Sequence, residues 1–113
     1  MRHLKKKKIG KGRNHAKKLL RSLAASAIVY EKIQTTEARA KHARVLVEQL
    51  ITKGKKDDLH NKRIIFAALP LNAARKVIEV LGPRYKERKG GYTRIIRLGN
   101  AKDGMPKVQL ELV

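Results

Sequence analysis

Apolar residues recur at helical spacing in four stretches of the chain, and each stretch follows a residue that commonly caps helices. The first stretch follows Asn14, a residue frequent at helix N-caps. Its apolar positions are Leu20, Leu23, Ala24, Ala27 and Ile28. Lys17, Lys18 and Arg21 fall on the opposite side. This pattern predicts an amphipathic helix whose outer face is cationic.

Three further helices are bounded by capping and helix-ending residues. The capping residues are Thr36 for the second helix, Asp57 or Asp58 for the third and Asn72 for the fourth. The residues that end them are Gly54, Pro70 and the pair Gly82-Pro83. The second helix would bury Ala43, Leu46, Val47, Leu50 and Ile51. Each of the three therefore has both a start and a stop signal.

The period changes from helical to alternating in the last part of the chain. Residues 93–98 read as a strand, and Val108, Leu110 and Leu112 alternate with polar residues in a second one. Residues 99–106 would join the two as a hairpin, and residues 32–35 form a short strand after the first helix. The predicted order α-β-α-α-α-β-β indicates an α+β domain of two layers over residues 14–113, with a small three-stranded mixed sheet covered by helices.

Residues 1–13 differ from this domain because they are rich in Lys, Arg and Gly and show no helical repeat. We interpret them as an extended basic arm. The first thirty residues contain ten Lys or Arg and no acid before Glu31. The whole chain has 29 basic and 9 acidic side chains, a formal net charge of +20. Such self-repulsion favours a polyanionic partner, and nucleic acid is the obvious one because bound cations release condensed counterions.

Two groups of residues are candidates for binding RNA. The arm and first helix contribute Arg2, His3, Lys5, Lys6, Lys7, Lys8, Lys11, Arg13, Asn14, His15, Lys17, Lys18 and Arg21. The second group, around the flexible pair Gly90-Gly91, contains Arg84, Tyr85, Arg88, Lys89, Tyr92 and Arg94. Tyrosines among cations can stack on unpaired bases. The alternative is that both tyrosines belong to an aromatic-poor core.

Several classes of function lack the residues they need. The chain contains no Cys, and its four His have neither zinc-type spacing nor acidic neighbours, so we expect no metal and no cofactor. No nucleophile, base or phosphate-binding loop pattern indicates an enzyme or a small-molecule substrate. No apolar run is long enough to span a bilayer and no signal peptide is evident, so we expect no membrane partner and a cytoplasmic location.

The same segments closely resemble the family of bacterial ribosomal protein seventeen of the large subunit. The matching stretches are MRH at 1–3, LRSLAAS at 20–26, LIT at 50–52, LGPRY at 81–85, GGYTRI at 90–95 and ELV at 111–113. The resemblance implies binding of 23S ribosomal RNA through the arm and the basic faces, near the nascent-chain exit. It also implies a fold of three strands and a helical layer, and large-subunit proteins twenty-two and thirty-two as neighbours.

Charge alone leaves an architectural DNA-binding protein open as the alternative. Against it, the chain shows no heptad repeat of the kind that basic-zipper proteins carry, and no helix-turn-helix is indicated by the caps. A membrane-active cationic helix at residues 14–30 would leave the other three helices and the hairpin unexplained.

Overall fold

The helices and strands follow the predicted order. The computed structural model describes residues 13–100 and 102–113. Its elements are α1 (Arg13–Tyr30), β1 (Lys32–Thr36), α2 (Glu37–Gly54), α3 (Leu59–Ala68), α4 (Leu71–Lys76), a π-helical turn (Val77–Leu81), α5 (Gly82–Arg84), β2 (Thr93–Asn100) and β3 (Pro106–Leu112). The fourth predicted helix is thus made of α4, the π-helical turn and α5. The α+β class is confirmed.

The start of α1 corrects one prediction. The helix already includes Arg13, so Asn14 lies in its first turn and is not its N-cap. The other residues of the predicted arm lie outside the described part of the chain, and the division into an arm and a domain stays a prediction.

The sheet is antiparallel throughout, so the predicted mixed sheet is wrong. Its strand order is β1-β3-β2, and β3 pairs antiparallel with both neighbours. Leu110 stands at the centre, opposite Ile33 of β1 and Ile95 of β2. A parallel pair would need β1 beside β2, and the central position of β3 keeps these two strands apart.

The helices bury the apolar face of this sheet. The predicted alternation in β3 is confirmed, because Val108, Leu110 and Leu112 are buried while the residues between them are not. Small residues form much of the helical side of the core, among them Ala24 and Ala27 of α1. The remaining buried alanines of the helical layer are Ala40, Ala43, Ala73 and Ala74. Side chains of this size let helix backbones approach closely.

The caps of α2 and α3 are formed by side chains. Thr36 Oγ1 accepts a hydrogen bond from the Arg39 amide at 3.4 Å, as the sequence predicted. Of the two candidates for α3, Asp58 is the cap, because its carboxylate accepts from the His60 amide at 3.0 Å. Side-chain oxygens in this position satisfy amides that a helix start leaves without partners.

The predicted limits of the fourth helix are wrong at both ends. Helix α4 begins at Leu71 after Pro70, so Asn72 is not its cap. At the other end, Gly82 donates its amide to Val77 O across a π-helical turn, and helical backbone continues through Pro83 to Arg84. Proline clashes with the carbonyl four residues back in a regular helix. The wider turn removes that clash, so Pro83 does not end the helix.

The paired strands of the hairpin extend further than predicted, and the loop between them is correspondingly shorter. Strand β2 continues to Asn100, and Gly99 and Asn100 pair with Lys107 and Pro106. The register shifts between Arg97 and Gly99, and Gly99 has a φ of 97°. Glycine adopts this conformation without strain, so the bulge lets pairing continue into the segment that the sequence indicated as loop.

Candidate nucleic-acid interface

Ion pairs within the chain divide its cations into two sets. Glu31 binds Lys76 and Arg84, and Glu111 binds Arg94. Other pairs join Glu37 to Lys41 and Arg97, Glu48 to Arg44, and Asp57 to Lys62. The other lysines and arginines of residues 14–100 and 102–113 have no carboxylate partner among these residues. They are Lys17, Lys18, Arg21, Lys32, Arg39, Lys53, Lys55, Lys56, Arg63, Arg75, Lys86, Arg88, Lys89, Lys102 and Lys107. These side chains, apart from Lys55, carry the charge that an external polyanion would meet.

The acid at the corner between α1 and β1 holds two of the paired cations. Glu31 Oε2 accepts from Lys76 Nζ at 3.1 Å and from Arg84 Nη2 at 3.3 Å, while its Oε1 accepts from Arg84 Nη1. Hydrogen bonds from Arg84 and then Lys76 lower the pKa of Glu31 to about 2, and the same contact with Glu31 raises the pKa of Arg84. Arg84 was a predicted RNA-binding residue, and the structure gives it a partner inside the fold.

The outer face of α1 is cationic, as its sequence predicts. Lys17, Lys18 and Arg21 are exposed there, and so are Asn14 and His15. These five predicted residues therefore occupy one accessible helix face. The predicted residues Arg2, His3, Lys5, Lys6, Lys7, Lys8 and Lys11, and the side chain of Arg13, lie outside what the structure describes.

Helix α2 connects this face to the second predicted group. A groove of about 550 Å³ lies between Lys17 and Arg21 of α1 and the outer side of α2. A second concavity of about 330 Å³ separates α2 from Gly90 and Gly91. Val45 lines both. The α1 face and the loop around Gly90 are therefore neighbours across the exposed ridge of α2.

The basic loop between α5 and β2 is held in place by Lys55. Its Nζ donates to Arg88 O and to the Tyr92 hydroxyl, the latter at 2.8 Å, and lies 5.1 Å from the Tyr92 ring centre. Burial raises the pKa of Tyr92, but the hydrogen bond from Lys55, together with the positive charge of that lysine, contributes to a net lowering of this pKa. Arg88 Nε in turn lies 3.2 Å from the backbone oxygens of the two following glycines. The exposed Lys89 thus extends from a loop with internal supports.

The two tyrosines of this group belong to the core. Tyr85 is 4% exposed and Tyr92 is 1% exposed, and their ring centres lie 5.2 Å apart. The Tyr85 hydroxyl donates to Val113 O at 2.7 Å. Stacking on a base needs an accessible ring face. Of the two interpretations that the sequence left open, the structure shows the core, and base stacking by these tyrosines is wrong.

The second group is therefore divided by the structure. Arg94 Nε lies 2.6 Å from Glu111 Oε1 on the neighbouring strand, so this residue, like Arg84, is paired within the fold. Arg88 and Lys89 are exposed and have no carboxylate partner in the part of the chain that is described. They are the members of the group whose positive charge has no carboxylate partner in the described part of the fold, and RNA binding by Arg84 and Arg94 stays a prediction.

Sequence reasoning missed the lysines at the end of α2. Lys53 is the residue before Gly54 in α2, and Lys56 lies two residues after the end of the helix. The lysines are visible in the sequence as the run KGKK at residues 53–56. Because Gly54 marks this run as the end of a helix, its positive charge was not used to predict a binding surface. These lysines extend the cationic surface beyond the residues that the sequence singled out.

Two further properties limit the chemistry of the described residues. No group of three or more His, Cys, Asp or Glu side chains within them could hold a metal ion. None of the helices in this part of the chain is both long and apolar enough to cross a membrane.

Comparison with known proteins gives a consistent result. The sequence model of the family described as Ribosomal protein L17 matches residues 19–113. A large ribosomal subunit protein bL17 of Listeria monocytogenes serotype 4a is 42% identical, over 95% of this chain and 98% of its own length. The protein of the same name from Caldanaerobacter subterraneus subsp. tengcongensis is 44% identical, over 95% and 97%. That of Syntrophotalea carbinolica is 44% identical, over 100% and 75%.

Proposed function

The chain belongs to the ribosomal protein L17 family, as its motifs predicted, and from this premise we propose that it is a structural constituent of the large ribosomal subunit that binds 23S ribosomal RNA. The observation that carries the RNA-binding proposal is the face shared by α1, the ridge of α2 and the basic loop. Lys17, Lys18 and Arg21 of α1 lie on one side of it, and Arg88 and Lys89 on the other.

The mechanism is electrostatic positioning. Lys and Arg that bind phosphates release condensed counterions, which supplies free energy without reading the base sequence. Lys55 keeps the loop that carries Arg88 and Lys89 in place, so less ordering entropy is lost when RNA binds. Arg84 and Arg94 are paired with Glu31 and Glu111, so part of their charge is already balanced within the fold. The residues thus act by binding and holding RNA, a structural role without catalysis.

The remaining parts of the proposal follow from the family. The basic arm adds phosphate contacts to those of the domain, and large-subunit proteins twenty-two and thirty-two lie next to the chain. The protein is bound to the ribosome in the cytoplasm. Exposed apolar side chains support contact with neighbouring proteins, since Leu59 and Phe66 of α3 are 63% and 44% exposed.

Sedimentation tests this proposal. The full chain, tagged at its C-terminus, is expressed in a bacterial cell and followed on a sucrose gradient after a high-salt wash of the ribosomes. We expect it to migrate with the large subunit. The triple variant K17E/K18E/R21E should leave that fraction, because three cations of the interface become repulsive.

The matched control, K32E/K102E/K107E, reverses two cations of the sheet and one of the β2–β3 turn, which changes the net charge equally. It should stay with the large subunit. Migration of the unchanged chain with nucleoid DNA would favour the architectural DNA-binding alternative, and migration as a free monomer would contradict both functions. Equal loss of the two variants would show that net charge, and not the α1 face, decides the association.

A further inference from the structure

A cleft of about 290 Å³ lies at the C-terminal end of α2, between the turn that leads to α3 and the segment that follows the π-helical turn. Lys56 and Lys62 line one wall and Lys86 lines the other. Lys56 and Lys62 are 30 and 24 residues from Lys86 along the chain, so only the fold brings the three together. No sequence motif points to this site.

Two glycines bring the walls of the cleft close together. A Cβ added to Gly82 would lie 2.5 Å from Gly54 O, and a Cβ added to Gly54 would lie 2.6 Å from Val77 Cγ1. Backbone therefore meets backbone at the base of the cleft. The lysine side chains extend from two segments whose separation is fixed by this contact.

The charge in the cleft is strongly positive. Lys56 and Lys86 are exposed, and no carboxylate in the described ranges pairs with either of them. The carboxylate that lines the cleft, Asp57, lies 2.9 Å from Lys62, and its side chain is 94% exposed. An exposed ion pair of this kind is worth little free energy and exchanges readily for another anion. Lys62 is thus available to a ligand that displaces Asp57.

The cleft also continues the interface described above. Lys55 lines it and at the same time holds the loop of Arg88 and Lys89 through Arg88 O and Tyr92. A polyanion on that loop therefore reaches the cleft by passing the end of α2. This continuity favours the nucleic acid backbone over an unrelated acidic ligand.

We propose that this cleft binds a phosphate of the RNA backbone, held by Lys56 and Lys86, with Lys62 joining when Asp57 is displaced. The inference rests on the proposed RNA-binding function and adds to it a second contact region around the end of α2. An RNA strand that follows this surface would bend from the loop into the cleft. It would then contact the protein on two sides of the C-terminal end of α2.

Salt dependence of binding tests the cleft. Filter binding of the full chain to transcribed 23S ribosomal RNA is measured over a range of KCl concentrations. For the variant K56A/K86A we expect the slope of log K against log salt to fall in magnitude by about 1. The arginine variant K56R/K86R should keep the slope of the unchanged chain, because the two charges remain.

The control K102A/K107A changes the net charge equally, but its two exposed lysines belong to the β2–β3 hairpin and do not line the cleft. Its slope should therefore remain nearly unchanged. Thermal unfolding of all variants checks that the fold is kept. Equal slopes for K56A/K86A and the control would contradict phosphate binding in the cleft, while the proposed RNA-binding function would remain intact. If the unchanged chain shows no salt-dependent affinity for the RNA, the proposed function itself fails, and the cleft with it.

Discussion

Glu31 joins three segments of the chain through a single residue. Its φ of 64° turns the chain from α1 into β1, a conformation that side-chain-bearing residues seldom adopt. Its backbone oxygen accepts the Leu112 amide at 2.8 Å, and its carboxylate binds Lys76 and Arg84. Lys76 also donates to Val29 O at 2.9 Å. The strained backbone is thus held by bonds to the sheet and to the helical layer.

Removing this carboxylate should destabilise the protein and alter its response to acid. For E31Q we expect the free energy of unfolding at pH 7 to fall by about 1–2 kcal/mol, a figure reduced for screening because the side chain is 40% exposed. The lowered pKa of Glu31, about 2, means that its contribution is complete above the ordinary value of 4.5 and is lost as the pH falls from there towards 2.

Urea unfolding at several pH values between 2 and 7 measures this contribution. The difference between the unchanged chain and E31Q should shrink towards zero across that acidic window. The substitution E79Q serves as the control, because Glu79 is exposed and has no ion-pair partner in the described part of the chain, so its removal should cause no comparable loss. A difference that stays constant down to pH 2 would contradict the role of the ionised carboxylate.

For single residues, the position of an exposed charge was easier to predict from the sequence than the ion-pair partner of that charge. The exposed cations of α1 follow from helical periodicity, which is a local property of the sequence. Arg84 and Arg94 have the same composition signal as Arg88, but they are paired with Glu31 and Glu111. These acids lie 53 and 17 residues away, and neither pairing is visible to a local pattern.

At the scale of elements, the structure depends on the close approach of α2 to the π-helical turn. A Cβ on Gly82 would meet Gly54 O at 2.5 Å, and backbone cannot move aside as a flexible side chain can. We therefore expect G82A to lower the free energy of unfolding by about 1–3 kcal/mol through overpacking. The higher helix propensity of alanine would offset part of this loss.

The matched control for this substitution is G90A. Gly90 lies in the exposed loop, and an added Cβ there would have no heavy atom within 4 Å. Its effect on unfolding by urea should be within a few tenths of a kcal/mol. Equal stability of the two alanine variants would show that the helix end can shift away from Gly54, and that the contact does not hold the two segments.

The elements that the sequence predicted well are those with local signals at both ends. Thr36 and Asp58 cap α2 and α3 as expected, and the alternation of β3 is seen in its burial. The fourth helix was misjudged because Pro83 normally stops a helix, and a π-helical turn is recognised only from its hydrogen bonds. The prediction of a mixed sheet was wrong for a related reason, since the pairing of strands depends on contacts distant in sequence.

At the scale of the whole molecule, the nine acids are mostly used inside the fold. Glu31, Glu37, Glu48, Asp57 and Glu111 pair with cations, and Asp58 caps a helix. The 29 basic side chains outnumber these acids, and the excess is the formal net charge of +20, which the chain cannot balance by itself. Composition predicted the sign and size of this charge, but only the fold shows that its two main groups share one face.

This excess charge makes the stability of the free protein dependent on salt. Repulsion among the cations destabilises the compact state, whereas the exposed ion pairs contribute little, so screening should remove more repulsion than attraction. We expect the melting temperature of the full chain to rise when KCl is increased from 20 mM to 500 mM. At low salt, addition of 23S ribosomal RNA should also raise the melting temperature, because the ligand binds the folded state.

Differential scanning fluorimetry measures both effects. The variant K32E/K102E/K107E has less positive charge, so its melting temperature should respond less to KCl. A melting temperature that falls as KCl is added would mean that the internal ion pairs outweigh the repulsion, and that the folded chain does not need a polyanion to relieve its charge.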